Sequence, residues 1–317
     1  MFFDYLAYVA AVKRYSQRTV DIYSDALKRF AAFAVPGSDS DSELLDALNH
    51  QMFRSYEVHL MDEEGLSPRT VNQQLSVLSS FCKYLMKEGK LSSNPVNLVK
   101  RPKMEKRLPA FYRDESMESY FAGTEHSASR DELEIFKTFG SEDSKSAKDM
   151  YERRLRRMII SLLHSTGLRR AELISLDLGN MDFKRRTLKV RGKGDKVREI
   201  PVVDIVSEEL KLYLEAVKSR FGDVEGPLLR TWQGNRLYPV YVDRTVKEEL
   251  SSETVRKSPH VLRHTIATSL LNDGAGLNSI KEFLGHSSLA ATQVYTHNSI
   301  DKLKSVYSCA HPRANKH

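Results

Sequence analysis

At 317 residues, 40% hydrophobic and 29% charged, the chain has the balance of an ordinary globular protein and the length for two domains, each able to bury a core. No stretch approaches the ~18 uninterrupted apolar residues of a membrane span; the basic residues of MFFDYLAYVAAVKRY follow its apolar part, the reverse of a signal peptide; and two cysteines, Cys82 and Cys309, give no basis for a disulfide framework or a cysteine-built zinc site. The net charge of +7 is uneven, because residues 151–200 carry 14 Lys+Arg against 6 Asp+Glu, which marks either a solvated basic face or a footprint for a polyanion; a cytoplasmic location is expected.

The first hundred residues are expected to be helical. Val20, Tyr23, Leu27, Phe30, Ala31 and Ala34 recur at helical spacing. Val35–Ser42 reads as a loop. Ser67-Pro68 has the form of an N-cap followed by proline at the first helical position. Behind it, Val71, Leu75, Leu78, Cys82 and Leu85 form one apolar stripe that ends at Gly89. Each stripe is narrow, so several helices must share a core as a small bundle. The stretch Asn94–Pro109, with prolines at 95, 102 and 109, breaks the pattern and reads as the inter-domain connection. This sets an N-terminal domain over 1–100, a linker over 101–110 and a C-terminal domain over 111–317. A basic linker is usually only solvated, but one carrying Arg101 and Lys103 can also follow a phosphate backbone.

In the second part, residues 123–150 are polar and poorly periodic, and read as a surface insertion or mobile loop. Leu155, Met158, Ile159, Leu162 and Leu163 then form a helical face that closes near Gly167. Thr187–Arg191 and Lys196–Ile200 alternate in strand fashion around Gly192-Lys-Gly-Asp195, a β-hairpin with a glycine-rich turn. Helical periodicity returns after 207 and after 259. The expected fold is mainly α with a small antiparallel β-sheet.

Five places along this chain carry chemistry. In TGLRRAEL, Thr166–Leu173, a helix ends at Gly167 and Arg169 and Arg170 follow. A guanidinium is a planar fork that can bind two phosphate oxygens at once, though an arginine pair in a loop is more often merely solvated. Glu172 lies three residues after Arg169, near enough to hold it if the segment is helical. Lys193, between two glycines at the hairpin tip, can enter a groove and donate a proton to a leaving oxygen, although most turn lysines do neither. Pro259 fits a helix start, which puts His260 and Arg263 on one face, the first able to take a proton near neutral pH and the second to neutralise a phosphate. His260 and His264 also have the i, i+4 spacing of a metal site, but Val261 stands where a zinc-hydrolase helix needs Glu. Leu277, Ile280 and Leu284 form a stripe terminated by Gly285, with Ser287 or Ser288 able to cap the next helix and His286 in the turn between. Tyr295 is one of 14 tyrosines and by itself says nothing.

Taken in order, Arg169 in TGLR-x-x-EL, Lys193 in GKGDK-x-R, His260-x-x-Arg263-His264, Leu284-Gly-His286 and Tyr295 in T-x-x-YTH resemble the tyrosine recombinases of the phage integrase family. The resemblance extends to the N-terminal half, where S-x-RT precedes an aromatic helix at Ser16–Phe30 and again at Ser67–Leu85. The length, the linker and the ending Val306–Ala314 are most similar to the bacterial Xer subgroup, from which the segment 123–150 departs in looking longer. The resemblance implies an N-terminal helical core-binding (SAM-like) bundle and a C-terminal α+β catalytic domain. It implies Tyr295 as nucleophile, Arg169 and Arg263 on the non-bridging phosphate oxygens, His260 as base, Lys193 as acid for the departing 5′ oxygen, His286 as a further donor and Glu172 in support. A 3′-phosphotyrosyl bond would keep the energy of the broken ester, so no metal and no cofactor is expected. Implied partners are double-stranded DNA with a specific recombination site, three further protomers of the same or a second recombinase in a tetramer, with 300–311 packed into a neighbour, and a septal DNA-translocating ATPase, but no membrane. Arg18, Arg69, Arg101, Lys103, Arg170, Arg191, Lys196 and Arg198 are the candidates for further DNA contact. The implied role is resolution of chromosome dimers; integration or inversion of a mobile element is the alternative, and a non-catalytic DNA-binding regulator the alternative of another class.

Overall fold

The computed structural model describes residues 1–38, 40–104, 111–139, 144–192, 196–222, 225–250, 257–272 and 274–285. The chain divides into two compact units, Met1–Arg107 and Leu108–His317. Among the described residues there are thirteen α-helices and one three-stranded antiparallel sheet, and no helix is long and apolar enough to cross a membrane.

The N-terminal unit is a bundle of α1 (Phe2–Ala11), α2 (Gln17–Ala34), α3 (Asp41–Ala47), α4 (His50–Val58) and α5 (Pro68–Lys87). The apolar stripe of α5 is its spine: Val71, Leu75, Leu78, Cys82 and Leu85 are all fully buried, and burying each leucine is worth about 1.5–3 kcal/mol. Ser67 caps this helix by accepting from the Thr70 amide at 3.3 Å, with Pro68 behind it. Phe30 of α2 stacks on Phe53 of α4 with centroids 5.0 Å apart.

The connection expected from Asn94 onward starts later than the sequence suggested. Pro95–Leu98 is a 3-10 turn, and Val96 and Val99 belong to the N-terminal core. The Asn94 amide donates to the Ser79 carbonyl and hydroxyl, and Asn72 donates to the Pro102 carbonyl at 2.9 Å. Proline breaks the helical period here without releasing the chain from the core, because two valines and an asparagine hold it down.

The C-terminal unit is built around α8 (Lys145–Thr166), buried along most of its length. Before it come α6 (Asp114–Gly123) and α7 (Arg130–Phe139). Of the two readings of 123–150, a surface insertion or a mobile loop, the loop is corrected by α7, which buries Leu133 and Phe136 in the same core. Two large apolar residues three apart on one short amphipathic helix are enough to anchor it, and the charged remainder hid that signal. After α8 come the short α9 (Arg170–Ser175) and the sheet of β1 (Met181–Asp182), β2 (Thr187–Arg191) and β3 (Val197–Pro201). The β2–β3 register pairs Thr187 with Pro201 and Arg191 with Val197, and the Gly192 amide donates to the Lys196 carbonyl at 2.8 Å below the tip. Then follow α10 (Asp204–Phe221), α11 (Pro239–Glu249), α12 (Pro259–Asn272) and α13 (Leu277–Leu284).

Gly167 ends α8 in the left-handed conformation, φ 59°. A Cβ built there would lie 2.7 Å from Leu284 Cδ2 and 3.2 Å from Ile266 Cγ2, so α8, α12 and α13 meet over a residue with no side chain. Gly167→Ala combines the left-handed strain of about 1–2 kcal/mol with this overlap, and thermal melting should show Tm lowered by about 4–8 °C. A Tm within about 1 °C of wild type would show that the three helices can give way.

Candidate active site

The α8 C-terminus turns through Gly167 and places Arg169 as the N-cap of α9. The third residue of that helix is Glu172, and its carboxylate accepts the Arg169 backbone amide at 2.9 Å, as a capping-box acid does. The same carboxylate takes the Arg169 guanidinium, Nη1 to Oε1 at 2.7 Å. The sequence TGLRRAEL thus folds so that one acid satisfies both the main chain and the side chain of Arg169.

Two further arginines come from distant elements. Arg198, on β3, lays both guanidinium nitrogens on Glu172 at 3.0 and 2.9 Å. Arg263, one turn into α12, is 4% exposed; it donates from Nη1 to the Gly167 carbonyl and from Nη2 to the Leu284 carbonyl. Arg169 Nη2 donates to the next carbonyl, Gly285, at 3.1 Å. The C-terminal carbonyls of α13 have no partners within the helix, and its dipole is negative there, so this end of the helix holds two guanidinium groups.

Two guanidinium groups, of Arg169 and Arg198, bond one carboxylate and that of Arg263 lies within reach of its charge, so the cluster is left with a surplus of positive charge in a largely buried setting. Burial works against the Glu172 charge, but the hydrogen bonds from Arg198 and Arg169 outweigh it and hold the carboxyl below its ordinary value. Burial, followed by the positive charge of Arg169, pushes Arg263 down to about 10, so it stays protonated at neutral pH. Partial desolvation lowers the His260 ring below its ordinary value, and His264, Arg263, Arg169 and Arg170 add to the effect, so near pH 7 the imidazole is neutral and can accept a proton. His260 keeps contact with solvent, whereas Arg263 on the same helix turns inward.

The structure brings together Arg169, Glu172, His260 and Arg263. Lys193, His286 and Tyr295 lie outside the described residues, as does the segment 300–311. Arg191, at the end of β2, and Lys196, just before β3, are exposed on either side of the hairpin tip that holds Lys193. Arg18 and Arg69 are exposed at the starts of α2 and α5, and Lys103 is exposed after them. Arg101 is exposed but donates to the Asn72 carbonyl and the Ser76 hydroxyl. Arg170 is half-buried and paired with Asp243 of α11.

Two expectations are corrected. Arg198 is not a surface contact: it is 7% exposed and committed to Glu172, because an arginine at that strand position points into the sheet's buried face. The basic surplus of 151–200 is also smaller in space than in sequence. Arg157 pairs with Glu209 at 2.7 Å, Arg153 with Glu132 at 3.0 Å, Arg170 with Asp243 and Arg186 with Asp204, all carboxylates from other segments. Sequence reasoning missed Gly285 and Arg198 as parts of the site; Arg198 ends the motif GKGDK-x-R, but nothing along the chain says that it reaches Glu172.

Residues 3–89 match the family described as "Phage integrase, N-terminal SAM-like domain", and residues 137–301 match "Phage integrase family". Tyrosine recombinase XerC of Chlorobaculum parvum is 33% identical over 326 aligned residues, spanning 98% of this chain and 94% of that protein. Tyrosine recombinase XerC of Bacillus subtilis is 33% identical over 325, spanning 98% and 96%. Among solved structures, the XerH site-specific recombinase bound to palindromic difH substrate, a post-cleavage complex, has a TM-score of 0.63 at 21% identity, covering 92% of this chain and 79% of that one. The Tn1549 transposon integrase in complex with circular intermediate DNA has a TM-score of 0.61 at 20% identity, covering 95% and 98%. At these identities the two structures establish a shared fold.

Proposed function

We propose, from the premise that this chain belongs to the phage integrase family of tyrosine recombinases, that it cuts and rejoins double-stranded DNA at a specific site through a 3′-phosphotyrosyl intermediate. The observation that carries this reading is the cluster of Arg169, Arg263 and Glu172 beside a neutral His260. Attack on a phosphodiester places extra negative charge on the two non-bridging oxygens, and preorganised guanidinium groups stabilise that charge more than the ground state. The carbonyls of Gly167, Leu284 and Gly285 and the Glu172 carboxylate hold those groups before DNA arrives, so little reorganisation remains for the reaction.

In this mechanism the Tyr295 oxygen bonds to phosphorus as its proton passes to His260. The P–O5′ bond breaks as Lys193 supplies a proton to the departing oxygen, and His286 donates to the phosphate. A 5′-hydroxyl of the partner duplex then attacks the phosphotyrosine, releasing the phenol. The ester count is unchanged throughout, so bond energy is conserved. Arg191 and Lys196 flank the hairpin tip that would carry Lys193 to the DNA. Exchange between two duplexes needs four protomers, and 300–311 is the segment we assign to the contact between neighbours. Resolution of chromosome dimers, with a septal DNA-translocating ATPase as trigger, is the role we assign within the family.

Trapping tests the reaction. Binding sites selected by the protein from sheared genomic DNA of its source are resynthesised with a nick beside the cleavage position, so that the 5′-hydroxyl leaves as a short fragment. A covalent protein–DNA adduct is expected without any nucleotide triphosphate. Site-specific binding with no adduct at any nick position would instead support the regulator reading.

The pH dependence follows from the lowered His260 value. The base is competent when neutral, so the acid limb of single-turnover cleavage should be centred below the ordinary imidazole value of about 6.5, the rate being lost as the pH falls through it. An acid limb centred above about pH 7 in the wild type would rule out His260 as the base.

A further inference from the structure

Resting on the recombinase reading, we propose that Arg198 is a positioning residue for the cleavage step, acting through Glu172 to hold the Arg169 guanidinium on the scissile phosphate. Four observations meet on this side chain. It is buried on β3, and its fork meets the Glu172 carboxylate with both nitrogens, a geometry only a guanidinium supplies. Glu172 Oε1 is shared between Arg198 Nη1 and Arg169 Nη1, so the carboxylate passes the position of one fork to the other. A Cβ on Gly285 would lie 3.0 Å from Arg198 Cζ and Nη1, which means that the guanidinium rests directly on the backbone whose carbonyl accepts from Arg169. A Cβ on Gly192 would lie 3.4 Å from Arg198 Nη1, so the hairpin base touches it as well.

Arg198 therefore ties three segments that are far apart in sequence: the hairpin below Lys193, the start of α9 and the turn at Gly285. Its own fork is spent on Glu172, which keeps it from the DNA. Without it, Glu172 stays buried and keeps only the Arg169 side chain and amide, with the charge of Arg263 on α12 nearby. Burial then dominates, the acid becomes easier to protonate, and its hold on Arg169 weakens.

Arg198→Met, Arg198→Lys, Glu172→Gln and the double variant combining Arg198→Met with Glu172→Gln are compared with wild type on the nicked duplex, with Tyr295→Phe as the non-cleaving control. Arg198→Met is expected to slow single-turnover cleavage at saturating DNA at least about tenfold. Its DNA affinity should stay within about threefold and its salt slope unchanged, unlike loss of a phosphate contact. Its deficit should widen as the pH is lowered, because Glu172 without Arg198 is easier to protonate, which a generally loosened fold would not do. Arg198→Lys, which keeps a charge and a donor, should recover part of the rate and serves the same comparison if the methionine variant does not fold. The double variant should cleave within about twofold of the slower single variant, because both changes break one linkage. Additive effects, a deficit explained by affinity, or an unchanged rate would each overturn the inference. A wild type that traps no adduct would overturn the recombinase reading itself, a separate and visible outcome.

Discussion

Tyr295→Phe is expected to abolish the covalent adduct, with a loss of at least about a thousandfold, while DNA binding stays within about twofold of wild type. The substitution removes one oxygen and leaves the ring. A phenol with pKa ~10 is a poor nucleophile near neutrality unless a base takes its proton as the bond to phosphorus forms. In the proposed mechanism that base is His260, whose imidazole is kept below its ordinary value by desolvation and by His264, Arg263, Arg169 and Arg170. Phenylalanine has no atom to offer at the same place, so no partial reaction survives. Nicked duplex, denaturing gels and peptide mapping of the adduct make the check. Equal trapping by the phenylalanine variant would remove Tyr295 from the reaction and direct attention to Tyr307.

Arg263→Ala should lower single-turnover cleavage by about 10²–10³, the usual consequence of losing one donor to a developing oxyanion. It should also lower stability, since the Gly167 and Leu284 carbonyls both lose the donor that the structure gives them; an unsatisfied buried acceptor costs about 1–3 kcal/mol. Arg263→Lys separates the two effects. A single ammonium retains the charge and can serve one carbonyl, but it cannot span both and still face a phosphate. The lysine variant should melt closer to wild type than the alanine variant and yet cleave at least about tenfold more slowly than wild type. Cleavage within about threefold of wild type in either variant would show that Arg263 serves only to join α8, α12 and α13.

The residues behind these two results are of unequal legibility. Arg263 and His260 were readable because Pro259 starts a helix and the spacing of the two is local. Glu172 was readable as a support for Arg169 because residues three apart on one turn must be neighbours. The stripe from Val71 to Leu85 and the Ser67 cap were equally readable, being properties of one helix. The helix α7 was not, because the charged residues around Leu133 and Phe136 mask a period that only the core reveals. The 3-10 turn at Pro95–Leu98 was hidden for the opposite reason: proline signals a break in the helix, and nothing local tells a break from a departure.

The chain by itself determined the elements with clear caps, stripes or strand alternation and the reactive side chains it carries, because those signals are set by neighbours within a few residues. Tertiary structure alone decided what those side chains do to one another. It turned Arg198 inward onto Glu172, spent much of the basic stretch on carboxylates from α7, α10 and α11, and set two arginines against the carbonyls that end α13. Charge and hydrogen bonding act through space over a few ångströms, and residues that distance apart here are separated by up to more than a hundred positions along the chain.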